Sequence, residues 1–369
     1  MSKIIIERAL LSDNSAICEL CQIPMVGDIS LTMERDPDYF INAGIQNQEV
    51  EIYVCRQQNR IVGVFSIGKR TVFFDGSPRQ LRYFSDLRIH PEFQKSMLLV
   101  RMSRFLKTNK IIQENEISHA VIFSENKTMT DLIEKVDDHF LKKASLLKFS
   151  LYGDYCSYMI SLSKQRKKKK SNLHIRKAES KDIETMQLFF NKEAPSKQLY
   201  PCYNFSCLDD SYYYGLKIND FYLAFEKEKL VGITGVWDQR KFKQTKIYSY
   251  SGSIKFVRPL LNIASKITKG FILPEPGEKL NYFMLHTILT QNNEPKIFKD
   301  LLEKIYADNY LSEFSYFLCG LDKNDGLCHV FKDFTKRIVK GGVYSVSFDT
   351  EIGRGNSISP NFYLETARI

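Results

Sequence analysis

Two stretches of this chain combine residue types and spacings that could do chemistry. In Tyr83-Phe84-Ser85-Asp86-Leu87-Arg88-Ile89-His90-Pro91-Glu92-Phe93-Gln94-Lys95-Ser96-Met97-Leu98-Leu99, a strand-like run meets a proline-marked turn and then a helix start. Such a turn leaves main-chain N–H groups aimed outward at the positive end of the helix dipole, and phosphates bind there. Leu285-His286-Thr287-Ile288-Leu289-Thr290-Gln291-Asn292-Asn293-Glu294-Pro295 repeats the order of strand, turn and helix, with the helix beginning near Lys296. Asn292 and Asn293 could meet an anion there, although a polar loop leading into a helix is the default reading. Cys18 and Cys21 stand three residues apart in a helical pattern, with no second pair or His cluster at zinc-ligand spacing. They read as buried small hydrophobes rather than a redox motif, and no metal site is expected.

The formal charge of +10 is concentrated, because six of the ten positive charges lie in Lys164-Gln-Arg166-Lys167-Lys-Lys-Lys170. A polybasic run can hold phosphates, so nucleic acid is a possible partner through Lys164–Lys170, but a self-repelling segment between folded units is more simply an exposed linker. The 369 residues exceed what one core usually organises, and 43% hydrophobic with 26% charged residues is ordinary for a folded chain. No apolar run is long enough to span a bilayer, the start lacks the pattern of a secretory signal, and eight cysteines are too few for a disulfide scaffold. The expectation is a reduced, cytoplasmic protein with no membrane partner.

The elements that must position these residues occur twice. Ile6, Ala9 and Asp13 are answered by Ile175, Ala178 and Asp182, and Tyr53-Val-Cys…Val62-Gly63-Val64 by Tyr222-Leu-Ala…Val231-Gly232-Ile233, all at an offset of 169. Each copy reads as strand, helix and then a hairpin. Ser124-Glu125-Asn126 and Asp322-Lys323-Asn324 are offset by 198, so the second copy carries about 29 more residues, which Pro259, Pro274, Pro276 and Gly277 place near 252–280. Periodicity in the first copy predicts strands 3–8, 50–57, 60–75, 81–90, 118–124, 146–153 and 156–162, and helices 12–22, 36–43, 95–114 and 127–138. The fold class is α+β: two tandem units, each a mixed, mostly antiparallel sheet flanked by helices, at 1–163 and 172–369 with a basic linker at 164–171.

Ile89-His90-Pro91-Glu92-Phe93-Gln94 resembles the first half of the acyl-CoA motif of the GNAT superfamily of N-acyltransferases, which continues with small residues where this chain has Met97 and Leu99. His119-Ala-Val-Ile-Phe-Ser-Glu-Asn126 before a helix is similar to the family's next strand, and the order of elements fits across residues 1–163. The resemblance implies acetyl-CoA as cosubstrate, its diphosphate held by amides from Gln94 through Lys95, Ser96, Met97, Leu98 and Leu99. It implies Asn126 against the pantetheine arm, and an amide of Leu87, Arg88 or Ile89 stabilising the oxyanion. Backbone donors survive any non-proline substitution, but bulk at Met97 and Leu99 could block the close approach that glycine permits.

The family's proton-donating tyrosine falls at Ile133, or at Phe331 in the second copy, and neither side chain can donate. For the general base the candidates are Asp86 and Glu125, with Tyr83 and Ser85 as polar residues beside them. Each also has a structural reading: Asp86 paired to Arg88, Glu125 capping a helix, Tyr83 or Ser85 lining a wall, His90 a turn residue. The leading expectation is acetyl transfer to a small-molecule or peptide amine. A catalytically degenerate pair that binds a ligand or protein, and a transferase using an aminoacyl-tRNA donor, are the competitors.

Overall fold

Residues 4–161 of the computed structural model run β1 (Ile4–Arg8), α1 (Asn14–Cys21), β2 (Ile29–Glu34), α2 (Tyr39–Gln46), β3 (Glu49–Gln57), β4 (Arg60–Phe74), β5 (Ser77–Ile89), α3 (Leu98–Thr108), β6 (Ile117–Phe123), α4 (Lys127–Lys135) and β7 (Lys148–Ser161). The structure describes residues 3–25, 27, 29–94, 97–112, 116–135, 141, 146–166, 171–268, 270–348 and 361–369. Alternation along β3 explains the layering. Ile52 and Val54 face α1 and α2, burying Ile17, Cys18, Leu20, Cys21, Tyr39 and Ala43, whereas Tyr53 and Cys55 face α3 and its Leu98, Met102 and Leu106.

Residues 174–347 repeat that plan as β8 (His174–Lys177), α5 (Ile183–Glu193), β9 (Tyr200–Pro201), β10 (Phe221–Glu226), β11 (Lys229–Trp237), β12 (Gln244–Tyr250), α6 (Gly252–Thr268), β13 (Tyr282–Thr290), α7 (Pro295–Asn309), β14 (Tyr316–Asp322) and β15 (Lys336–Ser347). Residues matched at the 169 offset do the same work. Asp13 accepts from the Leu10 amide at 2.9 Å and pairs with Arg56, while Asp182 accepts from the Glu179 amide at 2.8 Å and pairs with Arg176, so each fixes the turn that starts its helix. Gly232 lets α7 sit on its hairpin, since a Cβ there would stand 2.8 Å from Ile297 and 2.9 Å from Leu301. Gly63 brings Leu98 of α3 to 3.4 Å of the same position in the first copy.

The two strand sets join in one sheet of 13 strands, in the order β1-β3-β4-β5-β6-β15-β7-β14-β13-β11-β10-β8 with β9 on β4. β5 and β6 are parallel over Leu81–Phe84, and β13 and β14 over Tyr282–Met284; the other pairs are antiparallel. The last strands are exchanged: β15 lies between β6 and β7, and β7 lies between β15 and β14. A second, two-stranded sheet joins β2 to β12 across the two copies.

Several expectations change. Strands 146–153 and 156–162 are one continuous strand, the helix at 36–43 starts at Tyr39, and the helix at 95–114 is Leu98–Thr108. β2 escaped the sequence because its partner lies more than 200 residues away. The extra residues of the second copy include β12 as well as α6. The basic run is not a free tether throughout: Arg166 is bound to Glu303 at 2.8 Å and stacks on Phe334 at 3.9 Å, and the Tyr306 hydroxyl donates to the Lys164 carbonyl, while Lys167–Lys170 lie outside the described residues. The pair Cys18 and Cys21 is buried in the core, where desolvation pushes the Cys21 thiol up to about 12.

Because β6 and β7 each lack a neighbour without β15 and β14, residues 1–163 produced alone should be unfolded or aggregated. Co-expression with 172–369 should yield a folded 1:1 complex, read by gel filtration and circular dichroism; a monomeric, cooperatively melting 1–163 would contradict the exchanged pairing.

Candidate active site

Beyond Phe84 and Ala120 the parallel strands β5 and β6 part, and a bulge in β5 accompanies the opening. The register against β4 slips between Val64↔Arg88 and Ser66↔Ser85, so Asp86 and Leu87 together face Phe65 and one amide of the pair is left off the ladder. Asp86 takes φ +51°, a left-handed conformation that Asp tolerates better than most residues. Its carboxylate accepts from Arg35 at 2.9 Å, Asn42 at 3.3 Å and Gln46 at 3.4 Å, with the Arg35 side chain 3% and the Asp86 side chain 7% exposed. Burial alone would raise the Asp86 pKa, but Arg35, with Arg88 and Lys243 behind it, holds it below the ordinary carboxylate value.

Around this pair the polar groups are connected. Ser85 Oγ donates to Gln46 Oε1 at 2.8 Å, and the Tyr39 and Ser66 hydroxyls share a 2.7 Å bond. The Tyr83 ring stacks on His119 at 4.8 Å and lies beneath the Arg70 guanidinium at 4.7 Å; desolvation pushes its phenol well up. His119 sits 3.3 Å from Arg70, and burial with that neighbouring cation pushes its pKa well below the usual value, so the ring is neutral. From the second copy, the loop before β12 brings Lys243, whose Nζ donates to the Ile369 main-chain oxygen at 2.5 Å. Burial lowers its pKa, Arg35 lowers it further, and Asp86 only partly restores it, which leaves it at about 7. Asp86 is already neutralised by Arg35, so a second cation nearby gives up its proton cheaply.

The turn that follows is a single 3-10 turn, Pro91–Phe93. Its own amides are spent: Phe93 N–H on the His90 carbonyl at 2.8 Å and Gln94 N–H on the Pro91 carbonyl at 3.3 Å. The Gln94 amide, expected as a phosphate donor, is therefore a turn bond. The first turn of α3 is different. Leu98, Leu99 and Val100 form its first turn, and the N-cap residue Met97 makes no side-chain hydrogen bond to them. Met97 projects into solvent at 62% exposure, Leu98 is buried and Leu99 packs against the sheet, so the bulky residues are not turned into a shared plug. Lys95 and Ser96 lie outside the described residues.

No family model matches the chain, and no curated relative matches it. Solved structures do. Over 94% of its length the chain is similar to the GCN5-related glucosamine N-acetyltransferase region of a fungal multi-domain GH3 β-N-acetylglucosaminidase, with a TM-score of 0.60, 9% identity and 38% of that chain covered. A GCN5-related N-acetyltransferase from Sphaerobacter thermophilus is similar over 92% of this chain and 94% of its own, with a TM-score of 0.54 and 9% identity. Another, from Anabaena variabilis ATCC 29413, is similar over 93% of this chain and 72% of its own, with a TM-score of 0.50 and 10% identity. The fold is the GNAT fold.

Within that fold the sequence-derived residues separate into two groups. Tyr83, Ser85 and Asp86 come together with Arg35, Asn42 and Gln46 at the bulge, and Leu87, Arg88 and Ile89 line the parting edge of β5, all partly exposed. Asp86 pairs with Arg35 rather than Arg88, because the bulge turns its carboxylate toward β2 and α2. Glu125 and Asn126 stand exposed at the turn after β6, and Asn126 rather than Glu125 caps α4, its Oδ1 accepting from Met129 N–H at 3.2 Å. Arg35 and Lys243 were missed; isolated cations in polar stretches carry no sequence signal, and Lys243 arrives from the other copy.

The second copy has the same bulge, at Thr287 with φ +49°, yet its opening is closed. Every residue of β13 is buried, whereas Phe84–Ile89 of β5 are all partly exposed. Residues 361–369 fill the space. Glu365 accepts from Thr287 N–H at 2.9 Å, the Tyr363 hydroxyl accepts from Ile288 N–H at 3.3 Å, and the Thr366 and Tyr155 hydroxyls bond at 2.7 Å. The Arg368 guanidinium lies 3.5 Å from the Tyr212 ring centroid, with Tyr203, Tyr213 and Trp237 around it. At the turn before α7, Asn292 N–H is bound to Glu193 at 3.0 Å, Asn293 Nδ2 to Asp325 at 3.0 Å, and the Glu294 carboxylate caps Lys296 N–H at 3.2 Å. Carboxylates occupy the donors that an anion would need, so Asn292 and Asn293 are not an anion site. Among the described residues no group of acidic, His or Cys side chains has a metal-holding arrangement, and no helix is long and apolar enough to cross a membrane.

Lys243 gives this cluster a stability signature. Between about pH 7 and the ordinary lysine value, the unfolded chain binds a proton that the folded chain does not, so wild-type stability should rise with pH there, by at most about 1.4 kcal/mol per unit. Urea titrations at pH 7, 8 and 9 should show that rise in wild type and a flatter profile in Lys243→Met; parallel profiles would mean that Lys243 stays charged.

Proposed function

We propose that the protein is an N-acyltransferase whose acyl-CoA site lies in residues 1–163, transferring acetyl from acetyl-CoA to a small-molecule or peptide amine. The observation that carries this reading is the contrast between the two bulges: Phe84–Ile89 around Asp86 are all partly exposed, whereas every residue of β13 around Thr287 is buried against residues 361–369. We read residues 1–163 and 172–369 as two GNAT units with exchanged last strands, the second of which supports the first.

Acetyl-CoA supplies a thioester as acyl donor. The first turn of α3, Leu98 to Val100, is where helix-start amides would meet its diphosphate, and the Met97 side chain, exposed to solvent, does not cap them. The off-ladder amide of the Asp86–Leu87 bulge is the donor for the developing oxyanion. Asp86, held ionised by Arg35, is too weak a base to deprotonate an amine and instead fixes the charge and shape of the pocket. We assign that task to Lys243, whose pKa burial and Arg35 lower to about 7 and whose Nζ is held on the Ile369 main-chain oxygen. With Ile133 in α4 at the position of the family's tyrosine acid, the leaving thiolate takes its proton from water; a missing general acid costs about 10²- to 10⁴-fold, and positioning of amine and thioester remains.

The aminoacyl-tRNA reading loses part of its support, since Arg166 is already paired to Glu303. The ligand-binding reading keeps Ile133 in its favour and is separated by experiment.

Calorimetry with acetyl-CoA should show binding to the wild type. Met97→Asp should weaken it by about tenfold while leaving stability equal or higher, since Asp is a better helix cap than Met. No binding at millimolar acetyl-CoA overturns the donor site, and binding without transfer across an amine panel favours the degenerate pair. Where transfer is found, its rate should climb with pH through about 7 as Lys243 loses its proton, and Lys243→Gln should flatten that limb.

A further inference from the structure

Helix α6, the insertion specific to the second copy, is mounted with its polar side inward. Asn262 makes two bonds to Leu273, Nδ2 to the carbonyl at 2.8 Å and Oδ1 from the amide at 2.8 Å. Ser265 Oγ donates to the Phe271 carbonyl at 2.9 Å, and Arg258 donates to the Pro274 carbonyl at 2.9 Å while pairing with Glu275. These bonds fix the rotation of the helix about its axis. The apolar side is thereby turned to solvent: Phe256, Leu260, Ile263 and Ile267 recur at i, i+4, i+7 and i+11 and are 78%, 69%, 58% and 79% exposed. Val257 and Leu261 widen the stripe, and none of the 17 residues is buried.

Scattered exposed apolar residues need no explanation, but an aligned stripe on one helix does. Charge selects the occupant. The helix contains Lys255, Arg258 and Lys266 and no Asp or Glu, and among the described residues neither Lys255 nor Lys266 has a carboxylate partner. A second copy docked on the stripe would bring these unpaired lysines together, which disfavours self-association, whereas an anionic surface would meet them with opposite charge.

We propose that α6 is a peripheral membrane-binding element that lays its apolar stripe on an anionic phospholipid surface, with Lys255 and Lys266 at the headgroups. An apolar stripe with a basic flank is the feature of helices that lie in the interface plane. The lack of a spanning run, from which the sequence predicts no membrane partner, does not bear on a helix that lies flat. Nothing in this inference depends on the acyltransferase reading.

The test is cosedimentation of the full chain with phosphatidylcholine vesicles and with vesicles that also contain phosphatidylglycerol. Wild type should pellet with the anionic vesicles about tenfold more strongly and lose that preference as salt is raised. Leu260→Ser with Ile263→Ser should cut binding about tenfold with an unchanged melting temperature, because both side chains are already exposed. Lys255→Gln with Lys266→Gln should erase the preference for phosphatidylglycerol. Failure of wild type to pellet with either vesicle, equal pelleting of the serine variant, or a dimer that the serine variant dissolves without any vesicle binding would each overturn the proposal.

Discussion

The pairing of β7 with β15 at the centre of the sheet is the contact on which the remaining architecture rests. These two strands pair from Lys336↔Ile160 to Ser347↔Lys148, and each then hydrogen-bonds a strand of the opposite copy. Loss of either strand breaks the ladder on both sides and exposes main-chain polar groups along the middle of the molecule, the costliest place for them. The strands of residues 4–161 and 174–347 are thereby interleaved in one sheet. This interleaving also explains the second link, β2 with β12, since the bodies are already held in register when those edges meet.

The two bulges, at Asp86 and at Thr287, differ in what covers them. Both copies carry a left-handed residue at the bulge, and both set a helix behind a turn. In the second copy Glu365, Tyr363 and Arg368 satisfy the freed amides and fill an aromatic recess, and carboxylates take the donors of the turn. Gly320 is required there because a side chain would overlap the Tyr155 and Thr366 hydroxyls. In the first copy Phe84–Ile89 around the bulge stay partly exposed.

At the bulge the buried Arg35–Asp86 pair is joined by Lys243 from the later residues, and Arg70 is buried nearby over the Tyr83 ring. Arg35 and Asp86 offset each other's burial through one hydrogen bond of 2.9 Å, with longer ones from Asn42 and Gln46 to the carboxylate. Burial first, and then the neighbouring Arg35, lower the Lys243 pKa to about 7, and Asp86 restores only part of it. Neither residue type nor local sequence produces that result; it arises from three segments brought within range of each other.

The sequence by itself determined the local devices. The 169 offset marked Asp13 with Asp182 and Gly63 with Gly232, whose roles depend on neighbours a few residues away or on one packed helix, and the strand-turn-helix from Tyr83 to Leu99 was legible from alternation, proline and apolar spacing. Tertiary structure alone decided that β13 is covered while Phe84–Ile89 stay partly exposed, that Asp86 answers Arg35 instead of Arg88, that Lys243 is buried within range of that pair, and that the apolar side of α6 faces outward. Those outcomes depend on contacts between residues separated by tens to hundreds of positions, where periodicity carries no information, because the energy of a buried charge or an exposed apolar stripe is fixed by what the folded chain places beside it.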